Sequence, residues 1–402
     1  MFFNQKEFIS NHITKRKTSF FLEDIRLNTE ELKQEIEGSN ILVIGGAGTI
    51  GASFIKAILH FNPAKLVVVD YSENGLTELT RDLRSSYNEL MPSEYITYPF
   101  DFGSDVFNKF FLQEKFDIVA CFAAHKHVRS EKDRYAIEAM IQNNVFNTYN
   151  LLELCVINPP KHFFCVSTDK AANPVNVMGA SKKLMELVLK AYSNQIKIGT
   201  ARFANVAFSN GSLLQGFNER ILKNQPISSP IDVKRYFVSP EESGQLCMLA
   251  CILSKSGDIF FPKLEEEQMM TFADIAIKYL AELGLVPNYC TSEDEARLAS
   301  KNRNNSDSIY PVYFFESDTS GEKQYEEFYT DTDNVILKSF KSLGVIKNDE
   351  KISKEQIDLL LSEFRQMFAS NKLDKSTIIT LLNKYIPDFS HIETGKSLDN
   401  KL

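Results

Sequence analysis

A glycine-rich turn, Gly45-Gly-Ala-Gly48-Thr-Ile-Gly51, follows the apolar run Asn40-Ile-Leu-Val-Ile44 and leads into the amphipathic stretch Ala52–His60. Glycines at such a junction permit a tight turn and let a pyrophosphate approach the backbone, while the helix start offers free N–H groups to the anion. A second apolar run, Lys65-Leu-Val-Val-Val-Asp70, ends in a carboxylate 19 residues past Gly51. An acid in that place pairs with the hydroxyls of an adenosine ribose and disfavours a 2′-phosphate, which points to NAD rather than NADP. Gly45, Gly48, Thr49, Ile50, Gly51 and Asp70 are therefore candidate cofactor contacts. Asp101, at the end of a weaker third run (Tyr95–Phe100), is a candidate for the adenine and equally a capping or turn aspartate.

The pattern continues. Further apolar runs begin at Phe116 and His162, and helical stretches are expected near 73–90, 131–156 and 177–194. Strand and helix in alternation predict an α/β, doubly wound, Rossmann-like parallel sheet. Residues 1–38 read as a helical lead-in, with Asn28-Thr-Glu-Glu-Leu-Lys as a helix start, and 39–210 as the dinucleotide-binding domain. Prolines 226, 230 and 240 break up the following segment, and 211–345 is expected mostly to form a smaller substrate-binding domain. Residues 346–402 read as a helical extension with a frayed end, LDNKL.

Composition narrows the function. The 402 residues carry a net charge of -8, which argues against a general nucleic-acid binder. No apolar run is long enough to span a bilayer, and the first residues lack a secretory signal pattern. Six cysteines without a CxxC pair do not make a disulfide scaffold. A cytoplasmic location is expected.

The segment most informative about chemistry is Ser167-Thr-Asp-Lys-Ala-Ala-Asn-Pro-Val-Asn-Val-Met178-Gly-Ala-Ser-Lys182. It begins at a strand's C-terminal end, where α/β folds place ligands. Asp169 and Lys170 are adjacent, and Lys182 lies one helical turn past Met178. A crowded lysine serves as a base when neutral, and a carboxyl of raised pKa as an acid. Spacing alone equally allows a surface ion pair.

This segment resembles the STDKAxxPxNxMGxSK signature of UDP-N-acetylglucosamine 4,6-dehydratases, within the extended short-chain dehydrogenase superfamily. Further matches are Ala123-Ala-His-Lys126-His127-Val, Arg202-Phe-Ala-Asn205-Val, Ser209-Asn-Gly-Ser212, Val233-Lys-Arg235-Tyr236-Phe and Gly321-Glu-Lys323-Gln-Tyr-Glu-Glu. The resemblance covers about 40–330. It implies a lyase that uses retained NAD to make a 6-deoxy-4-keto sugar nucleotide for surface glycans. Lys170 would take the C5 proton and Asp169 would protonate the departing C6 hydroxyl. Lys182 would hold the nicotinamide ribose, with Ala123 beside the cofactor, and Lys126, His127, Asn205, Arg235 and Lys323 are candidates for the UDP-sugar. Three positions depart from the family: Met178 stands where Tyr is frequent, Ala204 where Gly is usual, and Ser317-Asp-Thr-Ser320 where Arg-Pro commonly precedes Gly-Glu-Lys. Methionine cannot take a proton, so the C4 hydroxyl proton must pass to water or a relay through Thr168 or Asp169.

His125, His127 and Cys121 lack the spacing of a metal set, and none is expected. A 4-epimerase or reductase on the same scaffold would have no need of the Asp-Lys pair. A non-catalytic NAD-binding regulator would bind cofactor without turnover. The resemblance also implies at least a dimer, through helices near 131–156 and 177–194.

Overall fold

The structure is a computed structural model that describes residues 3–304, 306–347, 349, 352–370 and 374–396. The expected frayed end LDNKL lies outside them. Five expected strands form where the apolar runs stand: β1 (Asn40–Ile44), β2 (Lys65–Val69), β3 (Glu94–Tyr98), β4 (Ile118–Cys121) and β5 (His162–Val166). They are joined by β6 (Ile198–Ala201), β7 (Ile259–Pro262), β8 (Val335–Ile336) and β9 (Leu343–Ile346) in one sheet of order β8-β9-β7-β6-β5-β4-β1-β2-β3. Pairing is parallel from β3 across to β7, and β9 and β8 add an antiparallel edge. The expected α/β doubly wound architecture is borne out. The strand order reverses beside β1, and a ligand crevice belongs at the carboxyl ends of the strands there.

Helices cover both faces, which is why the central strands read as continuous apolar runs. One face carries α1 (Thr49–Leu59), α2 (Glu73–Ser86) and, later in the chain, Pro240–Leu253, with Phe54, Ile55, Leu246 and Met248 packed on Val43 and Val68. The other carries α3 (Asp105–Gln113), α4 (Arg134–Ile141), α5 (Asn147–Ile157) and α6 (Val177–Tyr192). A π-helical turn, Gln142–Phe146, joins α4 to α5.

Residues after 210 serve two places. Strands 227–230, 286–289 and 309–315 form a separate three-stranded sheet with helices Leu213–Leu222 and Phe272–Glu282, whereas β7, β8 and β9 return to the main sheet. The lead-in also divides. Phe8, Ile9 and Ile13 pack on the smaller module beside Phe208, Phe217 and Tyr279, and Leu32 and Ile36 pack on the main sheet.

The C-terminal extension forms α7 (Lys354–Phe368) and α8 (Lys375–Tyr385). Ile357, Leu360, Leu361, Phe364, Ile378 and Leu382 join the core that contains Val177, Leu184, Met185 and Val188. Each such side chain taken from water contributes about 1.5–3 kcal/mol. Between these helices and the sheet, thirteen of the sixteen residues of α6 are buried. α7 and α8 of the same chain pack against α6.

Candidate functional site

A cleft of about 990 Å³ opens over the carboxyl ends of β1, β2, β4 and β5. Its floor is the glycine turn. Gly45 has φ +74°, and a Cβ there would lie 2.5 Å from the amide nitrogen of Ala123. A Cβ on Gly51 would lie 2.4 Å from the Gly45 carbonyl oxygen. Both positions therefore exclude a side chain. α1 begins at Thr49 without a side-chain cap, so its first N–H groups face the cleft unclaimed by a capping oxygen. Asp70 is buried at the end of β2 and accepts from Ala47 N at 3.0 Å and Ser72 N at 2.9 Å, which fixes the turn. Asp101 lines the far end of the cleft, where its carboxylate caps the local turn by accepting from Gly103 N at 2.8 Å. Gly48, Thr49, Ile50 and Ala123 all line the same space.

The reactive segment forms the opposite wall, with Thr168, Asp169, Lys170, Met178 and Lys182 all lining it. Asn176 caps α6 through Gly179 N at 2.7 Å, placing Met178 and Lys182 on the first turns. Lys182 is buried, and its Nζ donates to the Val166 carbonyl at 2.7 Å. Burial lowers its pKa, with Cys165, Cys121 and Glu186 opposing. Met178 is buried and offers the cleft no acid or base.

Asp169 Oδ1 is crowded with donors. It accepts from Thr168 Oγ1 at 2.9 Å, from Lys170 N at 2.9 Å and from Lys170 Nζ at 3.1 Å. A second carboxylate, Glu326, sits 3.6 Å from Lys170 Nζ and 3.8 Å from Arg235. Burial pulls the Lys170 pKa down, but Asp169 and Glu326 more than offset it, and the net direction is up. Burial and then Asp169 push the Glu326 carboxyl up, against Lys170, Arg235 and Lys323. The sequence reading required a neutral Lys170; in the free protein the ammonium form is favoured, because two carboxylates face it.

The candidate substrate residues divide. Lys126, His127 and Asn205 line the cleft. Lys126 Nζ reaches the Asn210 carbonyl at 2.9 Å, and Asn210 N donates to Thr49 Oγ1 at 2.9 Å, so the 209–212 turn lies across the glycine turn. Among the described residues Asn205 Nδ2 is a buried donor without a partner, an orphan that a ligand oxygen would satisfy. Arg235 and Lys323 are not among the lining residues. Arg235 is buried and donates to the carbonyls of Lys234 at 2.9 Å and Gln324 at 3.1 Å, so it anchors the loop carrying Glu326.

Sequence reasoning missed three supports. Glu326 lay within a quoted motif, and only its pairing with Lys170 in space singles it out. Asn144, in the π turn, accepts from His125 N at 2.8 Å and donates to the His125 carbonyl at 2.9 Å and to Ser181 Oγ at 3.0 Å, tying the cleft rim to α6. An Asn among others in a helical stretch gives no such signal. Glu186 and Arg202 form a buried two-bond pair at 2.8 and 2.6 Å, and Ser167 Oγ donates to the same carboxylate at 2.6 Å. Arg202 overwhelms the burial cost, and Glu186 is held down to about 2.

Among the described residues one cluster has metal-ligand character: Glu131, His391 and Glu393. The ammonium of Lys375 lies between its carboxylates, 3.0 Å from Glu131 and 2.6 Å from Glu393. It already supplies the positive charge there.

Comparison with known proteins agrees with this architecture. A protein of Methanocaldococcus jannaschii described as an uncharacterized membrane protein is 30% identical over 81% of this chain and 97% of its own. Among the described residues no helix is long and apolar enough to cross a membrane. An inverting UDP-N-acetylglucosamine 4,6-dehydratase of Campylobacter jejuni is 29% identical over 59% of this chain and 70% of its own. Two longer relatives are matched over only 40% and 55% of their lengths. A UDP-glucuronic acid 4-epimerase variant from Bacillus cereus, solved with NAD and a fluorinated UDP-sugar, superposes with a TM-score of 0.55 at 18% identity, covering 73% of this chain and 90% of that one. The family model described as "Polysaccharide biosynthesis protein" matches residues 41–348. The chain belongs to that polysaccharide biosynthesis protein family.

Proposed function

We propose that the protein is an NAD-dependent nucleotide-sugar 4,6-dehydratase acting on UDP-N-acetylglucosamine. The observation that carries this reading is the Asp169–Lys170 pair in the cleft wall, an acid and a base at one place. Its relatives include both a dehydratase and epimerases, and only the dehydratase reaction needs a proton removed at C5 and another delivered at C6.

The glycine turn, the uncapped start of α1 and Asp70 fit the pyrophosphate and ribose of NAD, and Lys182 its nicotinamide ribose. Bound NAD supplies reversible hydride acceptance. The chain's residues handle protons. In a 4-keto sugar the C5 proton is acidic. The Lys170 amine removes it, and the Asp169 carboxyl protonates the departing C6 hydroxyl. The C5–H and C6–O bonds break, a C5–C6 double bond forms, and water leaves. One proton moved from Lys170 Nζ to Asp169 Oδ1, 3.1 Å apart, turns the resting ion pair into that amine and acid. A sugar that closes the cleft expels water and favours the neutral pair. The C4 hydroxyl proton leaves to water or along Thr168, since Met178 cannot accept it.

Asn205 Nδ2, Lys126 and His127 are the donors open to the sugar nucleotide. Arg235 acts through Glu326, 3.8 Å away, and Lys323 adds only its positive charge near that carboxylate. The test is mass spectrometry of the sugar nucleotide after incubation with the protein. A product lighter by one water supports dehydration, whereas a chromatographically separate isomer of equal mass supports the epimerase reading.

A further inference from the structure

The C-terminal residues 389–396 do not simply cap the fold. They run between the reactive segment and the loop that carries Glu326. On one side, Ser390 N donates to the Pro174 carbonyl at 3.2 Å and Ile392 N to the Val175 carbonyl at 3.0 Å. On the other, Gly321 N donates to the Ile392 carbonyl at 2.9 Å and Ser320 N to the Lys396 carbonyl at 3.0 Å. The two outer segments also meet directly, because Asn176 Nδ2 donates to the Gly321 carbonyl at 2.7 Å. Gly321 has φ +72°, and a Cβ there would lie 2.7 Å from the Asn176 Cβ, so this approach requires glycine.

A buried ionic link reinforces the ladder. Glu131 Oε2 accepts from Val177 N, the first residue of α6, at 2.6 Å. Its other oxygen meets His391 Nε2 at 2.5 Å and Lys375 Nζ at 3.0 Å. His391 and Glu131 are both nearly buried, and Phe389 packs on the His391 ring. Burial raises the Glu131 pKa, but the hydrogen bonds from His391 and the Val177 amide, with the Lys375 cation, outweigh it, and the net direction is down. The strap therefore grips the residue next to Met178, eight positions from Asp169, and at the same time the loop five positions before Glu326.

We propose that residues 389–396 are a positioning strap of the active site. Through the His391–Glu131–Val177 link and the ladder to 174–175 and 320–321, they hold two segments in register so that Lys170 meets Asp169 and Glu326 together. The inference rests on the reading of 168–182 as the catalytic segment. It assigns His391 and Glu131 as positioning residues.

The test uses the full chain with His391→Ala, His391→Gln and Glu131→Gln, assayed beside the unaltered protein. Turnover, melting temperature and hydrogen exchange at 173–179 and 320–326 are measured. Displaced catalytic groups cost orders of magnitude, so kcat in His391→Ala should fall about tenfold or more, with KM within about twofold. His391→Gln, which keeps a donor toward Glu131, should recover most of that loss. Exchange at both segments should rise in His391→Ala while the melting temperature stays near that of the unaltered protein. Unchanged kcat in His391→Ala and Glu131→Gln overturns the proposal, as does a loss that follows unfolding across the three variants. If the unaltered protein turns over no nucleotide sugar, the functional reading fails on its own. Exchange then decides the strap, and unchanged exchange at both segments overturns it.

Discussion

The Lys170 ammonium lies 3.1 Å from Asp169 Oδ1, and a second carboxylate, Glu326, lies 3.6 Å from the same nitrogen. The base of the proposed reaction therefore rests as a cation in a nearly closed ionic cluster. Lys170→Ala removes it and should lower turnover by about 10²–10⁴-fold, the usual worth of a general base. Exchange of the C5 proton with deuterated solvent should cease in the same variant. Turnover at the normal rate would remove Lys170 from the mechanism.

Glu326→Gln removes one of the two charges that raise the Lys170 pKa. The amine form becomes easier to reach. The limb of the kcat/KM profile that reports Lys170 deprotonation should move to lower pH, with Asp169 and Arg235 still in place. A profile of kcat/KM against pH checks this, and an unshifted limb would show that Glu326 does not face the titrating amine.

Met178 lines the cleft without proton chemistry. Met178→Leu keeps the volume nearly constant, a change that costs less than about 1.5 kcal/mol of stability. Turnover should stay within about tenfold of the unaltered protein, as expected for a side chain with only a packing role. A loss as large as that of Lys170→Ala would contradict the assignment.

Asn205 Nδ2 is a buried donor with no partner among the described residues. Asn205→Ala should leave the melting temperature unchanged or higher, since no hydrogen bond is lost. KM should rise by about tenfold, because a hydrogen bond of about 1–1.5 kcal/mol to the sugar nucleotide is gone. Steady-state kinetics and a thermal melt test both halves.

The buried Glu186–Arg202 pair joins α6, β6 and the segment at Phe328. Arg202→Met strands the carboxylate and should cost about 3–5 kcal/mol, read from a denaturant titration. Glu186 titrates at about 2 rather than 4.5. A depressed carboxylate contributes stability that is complete above its unfolded pKa and lost as pH falls through the folded one. The contribution, about 3 kcal/mol, should therefore disappear between about pH 4.5 and pH 2. Glu186→Gln should remove that stretch of the acid-stability curve.

The sheet was legible because its central strands are apolar on both faces and each ends in a turn or acid with a recognisable task. Gly45, Gly51 and Asp70 could be placed from spacing, since sterics and anion geometry leave few other residues there. β6 to β9 were not legible: they are only two to four residues long and take their places from pairing. Glu326, Asn144 and Glu131 were not legible for a related reason. A carboxylate or amide carries no periodic signal, and its worth comes from what lies opposite in space. The covering of α6 by α7 and α8 likewise follows from packing between segments more than 150 residues apart in the chain.

Dehydration through an internally returned hydride is tested most directly by proton NMR. The purified protein would be incubated with UDP-N-acetylglucosamine in deuterated water, without added cofactor. A dehydratase with retained NAD gives a new C6 methyl signal with deuterium at C5. Bound NAD with no methyl signal from this or any other nucleotide sugar would contradict that reading.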